Sequence, residues 1–167
     1  ISEAAVNGMN VSYIPNIFDN SIDTLKVFNN NDYRYDIFFA MSHGVASGVL
    51  KKGKTDGREK KLFTIASNPL INENFYGYNN IEPIWANKLT TELSHSLMGL
   101  NLNSGKAMHL YSSDRISTYM GNGLLTFIDK AYGFDSIYKK DEFISYESDE
   151  DLIDKIIYYK SNLIEAK

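Results

Sequence analysis

The 167-residue sequence contains no cysteine, which excludes a disulfide framework, a thiolate metal site and a cysteine nucleophile, and fits a reducing compartment. The cytoplasm is the expected location. No apolar run approaches the ~18 uninterrupted residues that a membrane-spanning helix requires. The opening ISEAAVNGMN has neither the basic region nor the apolar core of a signal peptide. Peripheral membrane contact stays open. An excess of positive charge is also missing: 17 basic residues face 21 acidic ones, for a net charge of -4, which argues against a protein that holds nucleic acid through its phosphates. The three histidines, at 43, 95 and 109, match neither the helical pair nor the finger spacing of a metal site, so no metal is expected; no cofactor is expected either. No serine sits in a strand-to-helix nucleophile elbow, and a hydrolase triad is unsupported.

What is present suits one folded core. Hydrophobic residues make up 43% and charged residues 23% of the chain, the balance of an ordinary globular domain. YDIFFAM (35–41) is a continuous apolar run of strand length, as in a strand covered on both faces. A helix follows around Leu62, Ile65 and Ala66 and closes before Pro69. ENFYG (73–77) reads as a second strand. Leu89, Leu93 and Leu97 fall four apart behind a capping Asn87 and predict an amphipathic helix. MGLNLN (98–103) alternates. SDRISTYMGNG predicts a helix with Ile116, Tyr119 and Met120 inward and Gly123 as its stop. LLTFI (124–128) and EFISY (142–146) are further strands, and Ser148 with Asp151 caps a closing helix that buries Leu152, Ile153, Ile156 and Ile157. Strands alternating with helices predict an α/β fold, a Rossmann-like parallel sheet with helices on both faces. The start at Ile1 and the early turn IPN lead us to expect an upstream region, with 1–16 as a hinge and 17–167 as the folded domain.

Ligands of such sheets bind outside the carboxyl ends of the strands, and two connections there are candidates. The first follows Met41 and is about 15 residues long, against the usual ~2 to 6. It holds Ser42, His43, Gly44, Gly48 and Gly53, with Lys51, Lys52, Lys54, Arg58, Lys60 and Lys61 nearby. Glycines let backbone amides approach an anion, and the cations complement one. The bland reading is a surface loop with His43 as a turn residue. The second, NSGKAMHLYSS (103–113), leads into the helix carrying Arg115, where Lys106, Ser112, Ser113 and the first-turn amides could converge on a phosphate. Its bland reading is a capping serine with a surface ion pair.

DIFFAMSHG (36–44), NENFYGYNNIEPIWANKL (72–89), MGLNLNSGK (98–106) and SSDRISTYMGNGLLTFIDK (112–130) stand in an order that resembles the C-terminal, donor-binding half of GT-B glycosyltransferases related to the spore-maturation family. The resemblance covers roughly residues 10 to 160, with YIPNIFDNSID (13–23) similar to the hinge. It implies a nucleoside diphosphate sugar held in a crevice between two Rossmann-like halves, with an N-terminal acceptor-binding domain as the other half. By position, Arg115, Ser112 and Ser113 would contact the diphosphate or ribose. Ser42, His43 and Gly44 would face the leaving phosphate, and Tyr76, Gly77 and Tyr78 would lie near the base. The family often places a glutamate three residues after the arginine to hold the ribose hydroxyls. Here that residue is Thr118, and Asp114 is the candidate substitute.

The expected activity is glycosyl transfer, with Arg115, Lys106 and a helix dipole stabilising the departing diphosphate in place of a metal, and with His43 as a further catalytic candidate. The resemblance puts the base for the acceptor hydroxyl in the other half, and inverting and retaining chemistry both stay open. The isolated segment is expected to be inactive. The competing reading is a binding module that holds a nucleotide or sugar phosphate without turnover. A flavodoxin-like receiver is disfavoured because Ser42 and His43 stand where it needs clustered acids.

Overall fold

The structure is a computed structural model that describes residues 12–42 and 57–167. Five strands form one sheet in the order β2-β1-β3-β4-β5: β1 (Tyr35–Ala40), β2 (Glu73–Tyr76), β3 (Ser96–Asn101), β4 (Leu125–Asp129) and β5 (Ile144–Tyr146). Every pairing is parallel. The helices between them are α1 (Gly57–Ala66), α2 (Ala86–Ser94), α3 (Asp114–Gly121), α4 (Asp149–Ser161) and α5 (Leu163–Ala166). This is the Rossmann-like α/β sheet that the alternation of strand and helix signals predicts.

Residue alternation along the strands assigns the two faces. Ile37 and Phe39 of β1 and Phe127 of β4 join Leu62 and Ile65 of α1 and Leu152 and Ile156 of α4 in one cluster. Phe38 points to the opposite face, where it meets Leu93 of α2 and Tyr119 of α3. Every residue of β3 is buried. At its centre Gly99 has no side chain because the Tyr119 ring occupies the space: a Cβ there would stand 2.6 Å from Tyr119 Cδ2. Tyr119 is 1% exposed and its hydroxyl accepts from the Ala40 N–H at 3.4 Å, so α3 is seated against both β1 and β3.

Two local expectations are corrected. α2 ends at Ser94, and Leu97 belongs to β3 rather than to the helical stripe of Leu89 and Leu93. Its N-cap is Trp85, not Asn87, and Ala86 adopts a left-handed φ of 49°. The other helix signals stand. Ser148 accepts from the Asp151 N–H at 3.1 Å, and Gly123, at φ 81°, ends α3 with its N–H bonded to the Met120 carbonyl, the left-handed turn that glycine supplies at no steric cost.

Residues 12–24 run without regular structure along α3. Asn16 donates from Nδ2 to Asp114 Oδ1 at 2.7 Å, and Asn122 Nδ2 donates to Asp23 Oδ1 at 2.8 Å. Phe18 and Asp23 lie so close to Gly121 that a Cβ there would collide with both. No helix among the described residues is long and apolar enough to cross a membrane.

Candidate functional site

β1 connects outward to β2, whereas the next connection crosses back to β3, so the carboxyl ends of β1 and β3 diverge into a crevice at the topological switch point. Arg115, in the first turn of α3, lies in this crevice. Its Nη2 donates to the Leu102 carbonyl at 2.5 Å and to Asn103 Oδ1 at 3.1 Å, and its guanidinium carbon stands 5.4 Å from the centroid of the Phe39 ring. Nε is buried with no hydrogen-bond partner. Burial lowers the guanidinium pKa, the neighbouring Arg58 pushes the same way, and Tyr119, Tyr111 and Asp114 oppose. Arg115 is therefore a largely desolvated cation that stays charged.

Arg115 lines one of two cavities and hydrogen-bonds to Leu102 and Asn103 in the wall of the other. The latter, of about 200 Å³, is lined by Arg58 and Lys61 of α1, Asn101 to Asn103, Asp129 and Tyr146. Asn101 and Tyr146 are 0% exposed and Arg58 is 6% exposed. Ser113 Oγ donates to Asn101 Oδ1 at 2.8 Å, which leaves the amide nitrogen as the end of Asn101 still to be satisfied. Asn101 Nδ2, Asn103 Nδ2 and the Tyr146 hydroxyl have no hydrogen-bond partner. Burial pushes the Tyr146 hydroxyl pKa up, with Asp129, Tyr132 and Asp149 adding to the rise, so the group is held as a donor. Lys61 is paired with Asp149 at 2.6 Å and stands 4.8 Å from the Tyr146 ring centroid. The surplus is of donors, and the unpaired groups suit an acceptor-rich anion.

The second cavity, about 270 Å³, is lined by Arg115 itself and combines Ala40 to Ser42 at the end of β1 with Ile84, Trp85 and Leu89, and with Asp114 and Thr118 of α3. Two larger hollows, of about 480 and 520 Å³, run along the outer edges formed by β2 and β5 and include neither Arg115 nor Arg58. Size alone would favour these. The switch point and the unpaired buried donors favour the smaller pair.

The predicted residues distribute unevenly. Ser42, Asp114, Arg115 and Thr118 share the second cavity, and Arg58 lies in the first. Ser113 turns its hydroxyl to Asn101 instead of capping α3, and Ser112 Oγ accepts from the Asn16 N–H at 3.4 Å. Lys106 is exposed, between Gly105 and Ala107 of the first cavity wall. Tyr76 and Tyr78 line the hollow beside β2, which shares no residue with either cavity around Arg115. Gly77 is a close-approach glycine: at φ 74° its Cβ would stand 2.1 Å from the Met41 carbonyl oxygen. His43, Gly44, Gly48, Gly53, Lys51, Lys52 and Lys54 lie outside the described residues. Asn101, Asn103, Tyr146 and Trp85 escaped the sequence reading. The asparagines of MGLNLN pass for the polar half of an alternating strand, and their place at a carboxyl end was the signal available.

His95 is half-buried at the C-cap of α2, its carbonyl accepting from the Arg34 and Tyr35 N–H groups at the opposite end of β1; it belongs to the fold, not to an exposed helix face. Among the described residues no group of three histidine or acidic side chains is placed to hold a metal ion.

Neither a curated protein nor a solved structure matches the chain. A family model described as glycosyl transferase-like matches residues 55–167, which takes in α1 through α5 and every described residue of the two cavities except those at the end of β1. With a doubly wound parallel sheet, a cation at its switch point and buried donors around it, the chain belongs to the glycosyl transferase-like family.

Proposed function

We propose that the chain is the donor-binding half of a glycosyltransferase, holding a nucleoside diphosphate sugar in the crevice around Arg115. The observation that carries this reading is the set of buried donors without partners, Arg115 Nε, Asn101 Nδ2 and Asn103 Nδ2, beside the Tyr146 hydroxyl and the buried Arg58. An unpaired buried donor costs about 1 to 3 kcal/mol, and phosphate oxygens would satisfy several at once. The first turn of α1, with Gly57 and Arg58 on the cavity wall, adds the positive end of a helix dipole.

In the transfer, the bond between the anomeric carbon and the diphosphate oxygen breaks and its electron pair stays on the diphosphate. The anomeric carbon bonds to the acceptor hydroxyl oxygen, which releases its proton to a base. Charge thus builds on the leaving oxygen as the bond lengthens, and donors already aimed at that position stabilise the transition state without reorganising. Arg115 and Arg58 fill this role, with Lys106 within reach of the cavity mouth. The acceptor and its base belong to an N-terminal acceptor-binding domain in this reading, and the location proposed with it is the cytoplasm, in keeping with a sequence that has no cysteine.

Thr118 favours one other reading. A threonine gives a ribose one hydrogen bond where a glutamate gives two, and a module that binds without turnover tolerates that loss. Calorimetric titration of the complete protein, acceptor-binding half included, with nucleoside diphosphates and their sugars, followed by a transfer assay with the sugar nucleotide that binds, separates the two. Binding with product formation supports the transferase, binding without transfer to any acceptor supports the module, and absence of binding removes both.

A further inference from the structure

We infer that Trp85 is the stacking platform for the nucleobase of the donor, an inference that rests on the donor-binding reading above and assigns the two cavities to different parts of one ligand. Trp85 is 62% exposed yet lines the 270 Å³ cavity together with Arg115 and Thr118. Its ring stacks on no aromatic side chain among the described residues. Exposure alone does not single it out, since Ile17 and Ile164 are more exposed; its place on the cavity wall beside Arg115 does, where an indole offers a flat apolar face to a ring. The backbone holds it there against resistance: the next residue, Ala86, is left-handed at φ 49°, a conformation that costs a non-glycine residue about 1 to 2 kcal/mol.

Size and chemistry divide the ligand. At 200 and 270 Å³ neither cavity reaches the roughly 300 Å³ at which pockets begin to hold whole small molecules, so each takes a piece. The cavity of Asn101, Asn103, Tyr146 and Arg58 offers donors and suits phosphate oxygens. The cavity of Trp85, Ile84, Leu89 and Met41 is mostly apolar, with polar groups from Thr118, Asp114 and Arg115 at its rim. A flat ring with polar edges fits such a place, whereas a hexose would leave most of its hydroxyls facing hydrocarbon. Arg115 lines the apolar cavity and bonds through Nη2 to Leu102 and Asn103 of the other, so it can meet both pieces.

Trp85 is the single tryptophan of the sequence, so the emission of this chain, excited beyond the tyrosine band, reports on this cavity. Titrating the protein with UDP, GDP and ADP should quench the emission saturably for at least one of them. Inorganic pyrophosphate should bind, by calorimetry, without quenching. Trp85→Ala should weaken that nucleoside diphosphate by about 10-fold or more, the range of base stacking on an aromatic side chain, while leaving pyrophosphate affinity unchanged, and Trp85→Phe should retain most of the affinity. Nucleoside diphosphate binding that neither quenches nor depends on Trp85 overturns the assignment and leaves the donor site standing. Quenching by glucose 1-phosphate but by no nucleoside diphosphate puts a sugar on the indole and overturns it too. No binding of any nucleotide or of pyrophosphate removes the donor reading, and the assignment with it.

Discussion

Gly99 of β3 and Tyr119 of α3 are in such close register that the tyrosine ring fills the place of a glycine side chain, with 2.6 Å between Tyr119 Cδ2 and a Cβ built on Gly99. Tyr119 also contacts Phe38 edge-on, with 5.7 Å between ring centroids. Arg115 lies one turn earlier on the same helix, so the depth at which α3 packs sets where the guanidinium stands over the crevice. A change far from the crevice can therefore reach Arg115 through this helix.

Gly99→Ala should destabilise the fold by about 1 to 3 kcal/mol, the usual cost of inserting a methyl group into a filled core. Gly77→Ala should cost more, about 3 kcal/mol or above. It adds left-handed strain at φ 74° to a 2.1 Å approach to the Met41 carbonyl oxygen, and backbone yields less readily than a ring edge. Urea unfolding of both variants checks the order. Equal losses would mean that the β2–α2 connection moves aside freely.

Arg115→Ala should weaken nucleoside diphosphate binding by about 1.5 to 3 kcal/mol, the range for hydrogen bonds to a charged group. It also removes the donor that holds the Leu102 carbonyl and Asn103 Oδ1, so a lower melting temperature should accompany the weaker binding. Arg115→Lys keeps the charge but cannot place several donors in one plane, and should recover only part of either. Calorimetry with thermal melting measures both effects. Unchanged affinity in the alanine variant would take Arg115 out of the site.

Alkaline stability follows from the buried phenols. Burial raises the Tyr119 pKa to about 12, against a smaller lowering by Arg115 and by the Ala40 hydrogen bond. Tyr76 is also raised to about 12, by burial first and then by the charge of Glu92. For a folded pKa above the unfolded value near 10, the contribution is fully present below pH ~10 and is lost as pH rises toward ~12. For Tyr119 the loss is about 2 to 3 kcal/mol, at 1.36 kcal/mol per pH unit. Tyr119→Phe should flatten that decline. At neutral pH it should cost less than about 1 kcal/mol, since the hydroxyl makes one long bond at 3.4 Å. Chemical denaturation at pH 8 and pH 11.5 compares the two proteins, and an equal decline in both would place the alkaline weakness elsewhere.

The order of elements was legible because burial wrote itself into the chain twice, as continuous apolar strands such as Ile37 to Phe39 and as caps such as Ser148. The site was legible only in part. Arg115 was readable from its place after a strand end, but the direction of Ser113 was not: a serine before a helix predicts a cap, and here its hydroxyl satisfies the buried Asn101 instead. Tyr146 was hidden for a related reason. A tyrosine ending a short strand reads as core, and only the three-dimensional neighbourhood of Arg58 and Asn101 gives its hydroxyl a place in a cavity. Trp85 carries no signal of its own, because the left-handed turn at Ala86 that follows it has no sequence signature. Periodicity records which side chains leave water, but not which atoms of a buried side chain lack a partner.

Thr118 supplies the last test, because it lines the cavity with Trp85 and Arg115 at the position where the resembling enzymes often carry a glutamate. Asp114 is the candidate substitute, but its Oδ1 accepts from Asn16 Nδ2 at 2.7 Å, which leaves it less free to hold a ribose. Thr118→Glu should therefore strengthen ribonucleoside diphosphate binding while leaving the 2′-deoxy analogue unchanged or weaker. The gap should be on the order of 10-fold, equivalent to about 1.4 kcal/mol for a hydrogen bond to a charged acceptor. The ratio is the informative quantity: added negative charge near a diphosphate weakens both ligands alike, whereas a carboxylate that grips the ribose separates them. Paired titrations of UDP and 2′-deoxy-UDP against both proteins measure it. An unchanged ratio would mean that the ribose lies away from α3, on the opposite wall of the crevice.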